Sequence, residues 1–225
     1  MFTIRIRLLL VAMLTLLNTG PSFAANCGSG KILLQDKFKS LSAVWGITPG
    51  PDLTTGPGGL AINLKAGISF LGLNQSGFFG DYEVCMTVKT NFKCTDPAQC
   101  EASPYVGITF WGADRLNFYA CDVTPAYSTV AVWRTQNNKN LNPVPAAILP
   151  KDTLPKLSQK DFDISVSVTG NHLICKVNGV VAAEIDGLPP EGGSLFGFDL
   201  GSATTNKDNS KVIIKNIEIR ELQAQ

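Results

Sequence analysis

The chain has 225 residues and almost no surplus of charge, 19 Lys+Arg against 18 Asp+Glu. Nucleic acid and anionic membrane surfaces are held by basic excess, so neither partner is expected. Histidine is nearly absent. His172 stands alone, which excludes a multi-His metal centre and forces any Ser–His–Asp or Cys–His scheme through one residue. Because it follows a Gly-Asn turn, His172 reads as an exposed turn residue rather than a general base. No CxxC pair accompanies it, so zinc is not expected. Long hydrophobic runs are missing too: the apolar stretch from Leu8 to Leu17 falls well short of the about 20 residues that span a bilayer. No segment carries a helical period over three turns. What is present is enough apolar sequence, 44%, to build a core, and this excludes disorder.

Part of that apolar content belongs to a leader. Arg5 and Arg7, the run Leu8 to Leu17, the break at Asn18-Thr19-Gly20-Pro21 and the closing Ser22-Phe23-Ala24 have the n-region, h-region and small-residue site of a secretory signal. Residues 1–24 are therefore expected to be cleaved, leaving 25–225 as one domain that is secreted or periplasmic. Asn26 before Cys27 argues against a lipid anchor there. In an oxidising compartment the six cysteines, Cys27, Cys85, Cys94, Cys100, Cys121 and Cys175, read as a disulfide set. Cys94 and Cys100 bracket a short turn-rich loop and are paired first. Cys85 lies on the polar side of its strand with Glu83 and Thr87, whereas Cys175 shares the apolar side with Leu173 and Val177. That parity separates Cys85 from Cys175 and favours Cys85 with Cys121. Cys27 is expected to tie down the N-terminal end.

The dominant period along the chain is two. Phe162, Ile164, Val166 and Val168 alternate with Asp163, Ser165, Ser167 and Thr169, the pattern of a strand with one buried face. Gly170-Asn171, a strand from His172 to Val177, Asn178-Gly179 and a strand from Val180 to Glu184 follow. Asn-Gly between apolar runs favours a type I′ hairpin, whose two central residues need positive φ, so residues 162–184 form a three-stranded meander. Further strands are expected at Leu60 to Leu64, Tyr82 to Thr90, Tyr105 to Trp111, Leu116 to Asp122, Ser128 to Arg134, Leu195 to Leu200 and Val212 to Arg220. About ten strands with regular turn signals imply an all-β antiparallel sandwich or jelly roll in one domain. The Pro-rich stretch from Asn142 to Pro155 reads as a long surface connection.

Within that pattern, Asp36-Lys37-Phe38 with Trp45, Gly77-Phe78-Phe79-Gly80-Asp81-Tyr82-Glu83-Val84, Tyr105 to Trp111 and Asn117-Phe118-Tyr119 resemble the LamG-like, concanavalin A-like jelly rolls. Val177-Asn178-Gly179, Gly193 to Phe198 and Lys215-Asn216-Ile217-Glu218-Ile219 continue the resemblance in the same order, over nearly all of residues 32–220. It implies a concanavalin A-like β-sandwich from a superfamily of lectins, glucan-cleaving enzymes and adhesion modules, and the six cysteines make the expected sandwich disulfide-stapled. The strand order is most similar to the 3-keto-disaccharide hydrolase-like domains. The Glu-x-Asp-x-x-Glu signature of laminarinase-type enzymes has no match in this chain. Pro104-Tyr105-Val106-Gly107 stands where the keto-disaccharide group often carries Asn-Ser-Gly.

Candidate sites follow from strand parity. If Val106, Ile108 and Phe110 point inward, Tyr105, Thr109 and Trp111 point out; if Val130 and Val132 point inward, Ala131 and Trp133 point out. With Tyr119 on the strand between them, Trp111, Tyr119 and Trp133 form an expected aromatic platform for a sugar face, with Arg134, Asn117 and Asp122 as hydrogen-bonding groups around it. The other reading places these aromatics in the core between the sheets. A retaining glycosidase needs two carboxyls about 5 Å apart. The strand-sharing pairs Asp81 with Glu83, Asp161 with Asp163, and Glu184 with Asp186 all lie beside turns, where acids serve solvation. Asp114 and Asp122 flank the strand of Tyr119. Asp199, Gly201, Asn206 and Asp208 resemble oxygen-rich calcium loops, against an ordinary polar loop with Asx turns; no other cofactor is expected. Asn74-Gln75-Ser76 is an N-glycosylation sequon. The expected function is a carbohydrate- or extracellular-ligand-binding module without catalysis. The alternatives are a glycoside hydrolase of the 3-keto-disaccharide type and a purely structural or adhesion domain.

Overall fold

The structure, a computed structural model, describes residues 27–77, 80–92, 104–141, 161–203 and 210–222, together with the backbone of 147–148. The leader, Cys94 and Cys100, most of the Pro-rich stretch, and Asn206 with Asp208 lie outside the described residues.

Fifteen strands follow in chain order among the described residues. They are β1 (Ile32–Asp36), β2 (Leu53–Gly56), β3 (Gly59–Leu64), β4 (Ser69–Asn74), β5 (Tyr82–Thr90), β6 (Tyr105–Asp114), β7 (Asn117–Thr124), β8 (Thr129–Gln136), β9 (Lys139–Leu141), β10 (Ala147–Ile148), β11 (Asp161–Thr169), β12 (His172–Val177), β13 (Val180–Asp186), β14 (Leu195–Gly201) and β15 (Ser210–Glu221). One sheet runs β13-β12-β11-β5-β15-β3-β2, with β1 also on β15; the other runs β10-β8-β7-β6-β14-β4, with β9 on β8. Every pairing within them is antiparallel.

Two-residue alternation explains why these segments are strands and why the sheets stack. On the first sheet Ile164 sits between Met86 and Val177, and Val166 between Val84 and Cys175. On the second, Ile108 neighbours Cys121, which neighbours Val132. All of these side chains are buried in one cluster between the sheets, each contributing about 1.5–3 kcal/mol if it is a large aliphatic. Aromatic rings close one part of that core. Trp45 lies 5.3 Å from Phe38, 6.0 Å from Phe196 and 5.6 Å from Phe198. Asp36 holds the group in place: its carboxylate accepts from the Trp45 indole N–H at 2.8 Å and from the Phe38 amide at 2.7 Å.

The meander expected over 162–184 is formed, as β11, β12 and β13. Asn178 and Gly179 both take positive φ, 49° and 80°, as the I′ turn demands. The strands that alternation did not disclose are β1, β2, β4, β9 and β10, which are short or lack a clean period. β1, for example, exists because it adds to the edge of β15 at Ile217 to Arg220.

The disulfides correct one expectation. Cys121 bonds Cys175 (Cα–Cα 6.5 Å) and Cys85 bonds Cys27 (Cα–Cα 5.8 Å), so Cys85 does not pair with Cys121. Cys121 faces inward between Ile108 and Val132 and meets Cys175 across the core, whereas Cys85 lies between Ser165 and Glu218 on the opposite face of its sheet. The parity argument separated Cys85 from Cys175 correctly but put Cys121 on the wrong side. Cys94 with Cys100 falls outside the described residues.

Candidate functional site

Each strand of the second sheet has a second face, directed away from the core. Across its centre the antiparallel register aligns Leu71, Asp199, Gly107, Asp122 and Ala131 in one row, and Leu73, Gly197, Thr109, Ala120 and Trp133 in the next. Glycine and alanine in the middle of these rows leave the floor low. Tyr105, Phe118, Trp133 and Leu71 rise around it, and the result is a groove of 790 Å³. Arg115 stands at its margin, where one guanidinium nitrogen donates to the carbonyls of Gly46 (2.7 Å) and Leu71 (3.0 Å).

Gly107 determines how the two acids meet. It is flanked in register by Asp122 on one side and Asp199 on the other. Any Cβ at Gly107 would run into the Asp122 carboxylate and the Cys121 carbonyl, so the Asp122 side chain leans over the glycine. Asp122 is only 7% exposed, and its buried Oδ1 has no hydrogen-bond partner. Burial raises its pKa well above the ordinary carboxylate range, and the neighbouring Asp199 raises it further. Burial likewise lifts Asp199 to about 7, against the opposing pull of the Leu200 amide and the Tyr105 hydroxyl. The Tyr105 phenol is pushed up in turn, first by burial and then by the two carboxylates. Two acids in one low-dielectric site cannot both ionise cheaply.

The six expected ligand-binding residues are not brought together. Trp133 and Asp122 line the groove, but Trp111 and Tyr119 are each 3% exposed and sit inside the core. Tyr119 pairs in register with Phe110 and so shares its inward face. Trp111 is turned inward by an irregularity between Phe110 and Asp114, where its own φ is 47°; a bulge of this kind reverses side-chain direction. The two rings pack edge to face at 5.3 Å, and the Tyr119 hydroxyl donates to the Leu188 carbonyl at 3.2 Å. Arg134 follows Tyr119 to the inner face and places its guanidinium 5.6 Å from that ring. Asn117 opens β7 and braces the adjacent turns: its Oδ1 accepts from the Asn137 amide and its Nδ2 donates to Asp114. Asp114 also accepts from the Leu116 amide, and these bonds hold its carboxyl below the ordinary range.

The strand-sharing acids all have structural partners. Glu83 accepts from the Gly28 amide and Ser167, and Asp81 from the Gly170 amide. Asp161 pairs with Lys215, and Asp163 accepts from Thr87. Glu184 and Asp186 both pair with exposed His172, at 3.1 and 2.9 Å, and the Asp186 bond foremost raises the histidine's pKa. Asn74 of the sequon is wholly buried, so its amide does not face solvent. Of the calcium set, Asp199 and Gly201 line the groove from β14. Sequence reasoning missed Asp199 as the partner of Asp122. The inward Phe196, Phe198 and Leu200 do reveal that Asp199 points out, but nothing local reveals that β14 and β7 flank the same strand.

In comparisons by sequence, neither a family model nor a curated protein matches the chain significantly. By structure it is similar to a β-glucanase of Bacillus licheniformis, with a TM-score of 0.62 and 8% identity over 87% of this chain and 100% of that one. It is also similar to the carbohydrate binding module CBM66 from Bacillus subtilis (TM-score 0.56, 10% identity, 75% and 91% covered). A third similar structure is the VIP36 exoplasmic/lumenal domain in a Ca2+/Man-bound form (TM-score 0.54, 14% identity, 77% and 82% covered). At such identities the likeness defines the fold alone, a concanavalin A-like jelly-roll β-sandwich.

Proposed function

We propose that the groove on the outer face of the second sheet binds carbohydrate. The observation that carries this reading is the groove itself. Its 790 Å³ lies within the usual range of small-molecule sites, Trp133 and Tyr105 are aromatic side chains in its lining, and Asp122 and Asp199 supply polar atoms to it. Flat apolar walls with a few fixed polar groups are the usual composition of a small-molecule site. The carbohydrate binding module and the mannose-bound domain among the similar structures add support. The residues of the leader and the two disulfides support export, with 25–225 as the mature single domain.

A glycan array on the mature protein tests the reading, followed by titration of the best ligand. Trp133→Ala is expected to weaken binding at least about tenfold, a typical loss for an aromatic anchor, with an unchanged melting temperature. Equal affinity of the variant and the parent would remove the groove from consideration.

One observation favours glycosidic cleavage as a second reading: Asp122 and Asp199 form an acidic pair, with raised pKa values, facing the same groove. An acid kept protonated near neutrality is what protonation of a leaving oxygen requires. Reducing ends released from array-positive oligosaccharides, and lost in Asp122→Asn, would make the module an enzyme; binding without release leaves it a binder.

A further inference from the structure

The Asp122–Asp199 pair has a consequence for which sugars the groove accepts. Its surroundings are uncharged on nearly every side. From β6 come Tyr105, Gly107 and Thr109; from β4, Ser69 and Leu71; from β8, Thr129, Ala131 and Trp133. Tyr105 is the only other titratable group in these rows. Arg115 is the one cation lining the groove among the described residues, and it is engaged with two backbone carbonyls. Asp122 Oδ1 and the Thr109 hydroxyl are buried without partners. Two carboxylates flanking a glycine, in a site with no cation turned toward them, cannot both carry charge without a large desolvation cost.

We infer that Asp122 and Asp199 hold a proton between them at neutral pH, so that the floor presents a donor and acceptors side by side and the groove takes uncharged rather than anionic glycans, releasing them as the pH rises. This rests on the carbohydrate reading above. A sugar hydroxyl both donates and accepts, and a half-protonated pair satisfies both roles at once. A fully ionised pair offers acceptors only and repels a carboxylate. A ring lying over the floor also strips its remaining water, which penalises the charged form further, so ligand and proton bind with positive coupling. Burial raises both carboxyls and agrees with this picture.

The first arm of the test needs no ligand. In mature protein carrying carbon-13 at the aspartate carboxyls, two resonances are expected to respond to one common titration step above about pH 6, the signature of a coupled pair. Asp122→Asn should lower the Asp199 step by at least about one pH unit, and Asp199→Asn should do the same to Asp122, so one misfolded variant does not end the experiment. If every aspartate titrates below about pH 5, the pair holds no proton and the inference is overturned. The second arm compares neutral gluco-hexasaccharides with hexagalacturonate at about pH 5.5 and 8.5. Affinity for the neutral probes should fall at least about tenfold between those values, and should fall less in Asp122→Asn, where only Asp199 remains to ionise. Stronger binding of the uronate, or no pH effect in the parent protein, overturns the inference while leaving carbohydrate binding intact. A pair that titrates high in a protein that binds no glycan at either pH overturns the recognition role together with the carbohydrate reading.

Discussion

Replacing Asp199 by Asn removes one acid from the groove while keeping its size and its ability to accept from Tyr105. In the folded protein the Asp199 carboxyl is lifted from 3.8 to about 7, about 3 pH units, and each unit corresponds to about 1.4 kcal/mol. Because the folded pKa lies above the unfolded one, the folded state keeps its proton longer. The Asp199 contribution to stability is therefore fully present below about pH 4, falls as pH rises through the window from about 4 to 7, and is level above it. The total loss across that window is at most about 4 kcal/mol. For a chain of this size about 1 kcal/mol moves the melting temperature by 2–4 °C, so the parent protein should lose roughly 8–16 °C relative to Asp199→Asn between pH 4 and pH 8. Melting curves of both proteins across that range measure the difference. Groups remote from the groove, His172 among them, are the same in both proteins and cancel. Parallel curves, with the same gap at pH 4 and pH 8, would refute the claim that the groove floor resists ionisation.

The two tryptophans that parity placed on one surface should behave in opposite ways. Trp111→Ala empties a core position and should cost about 3–5 kcal/mol in chemical denaturation, while Trp133→Ala should leave the unfolding midpoint nearly unchanged. The Cys121–Cys175 bond closes a loop of 54 residues, so Cys121→Ala with Cys175→Ala should lose about 4 kcal/mol from chain entropy alone, plus a core cavity. Cys27→Ser with Cys85→Ser, over 58 residues, should lose a similar entropy with no cavity between the sheets, and urea titration should rank the two pairs in that order. Expression in a glycosylating host should yield folded protein without added mass at Asn74, since its side chain is wholly buried and its Oδ1 accepts from the Ser76 amide at 2.9 Å; a glycopeptide containing Asn74 in the folded fraction would contradict this.

Most of the fold was legible because its cause is local. Side chains alternate with period two wherever one strand face is buried, and Phe162 to Val168, Tyr82 to Val88 and Val106 to Phe110 each print that burial directly into the sequence. The Asn178-Gly179 turn was equally legible, since positive φ at both residues is a property of the dipeptide. Asp36, Phe38 and Trp45 stood out as a motif before their reason was visible, which is one carboxylate binding two N–H groups.

The site was less legible because it depends on neighbours distant in sequence. In Asn117 to Val123 both faces are largely apolar, so alternation alone could not tell whether Tyr119 or Phe118 faced the core, and Cys121 was misplaced by the same ambiguity. The turn of Trp111 toward the core comes from a backbone irregularity at positive φ, to which no residue type there points. Parity by itself determined that Trp133 faces away from the core, and the inward Phe196, Phe198 and Leu200 imply the same for Asp199. Only the tertiary structure decided that Asp122 and Asp199 meet across Gly107, because strand order, unlike strand parity, is set by long-range pairing. With β14 and β7 on either side of β6, a buried and a half-buried aspartate become a single acidic pair.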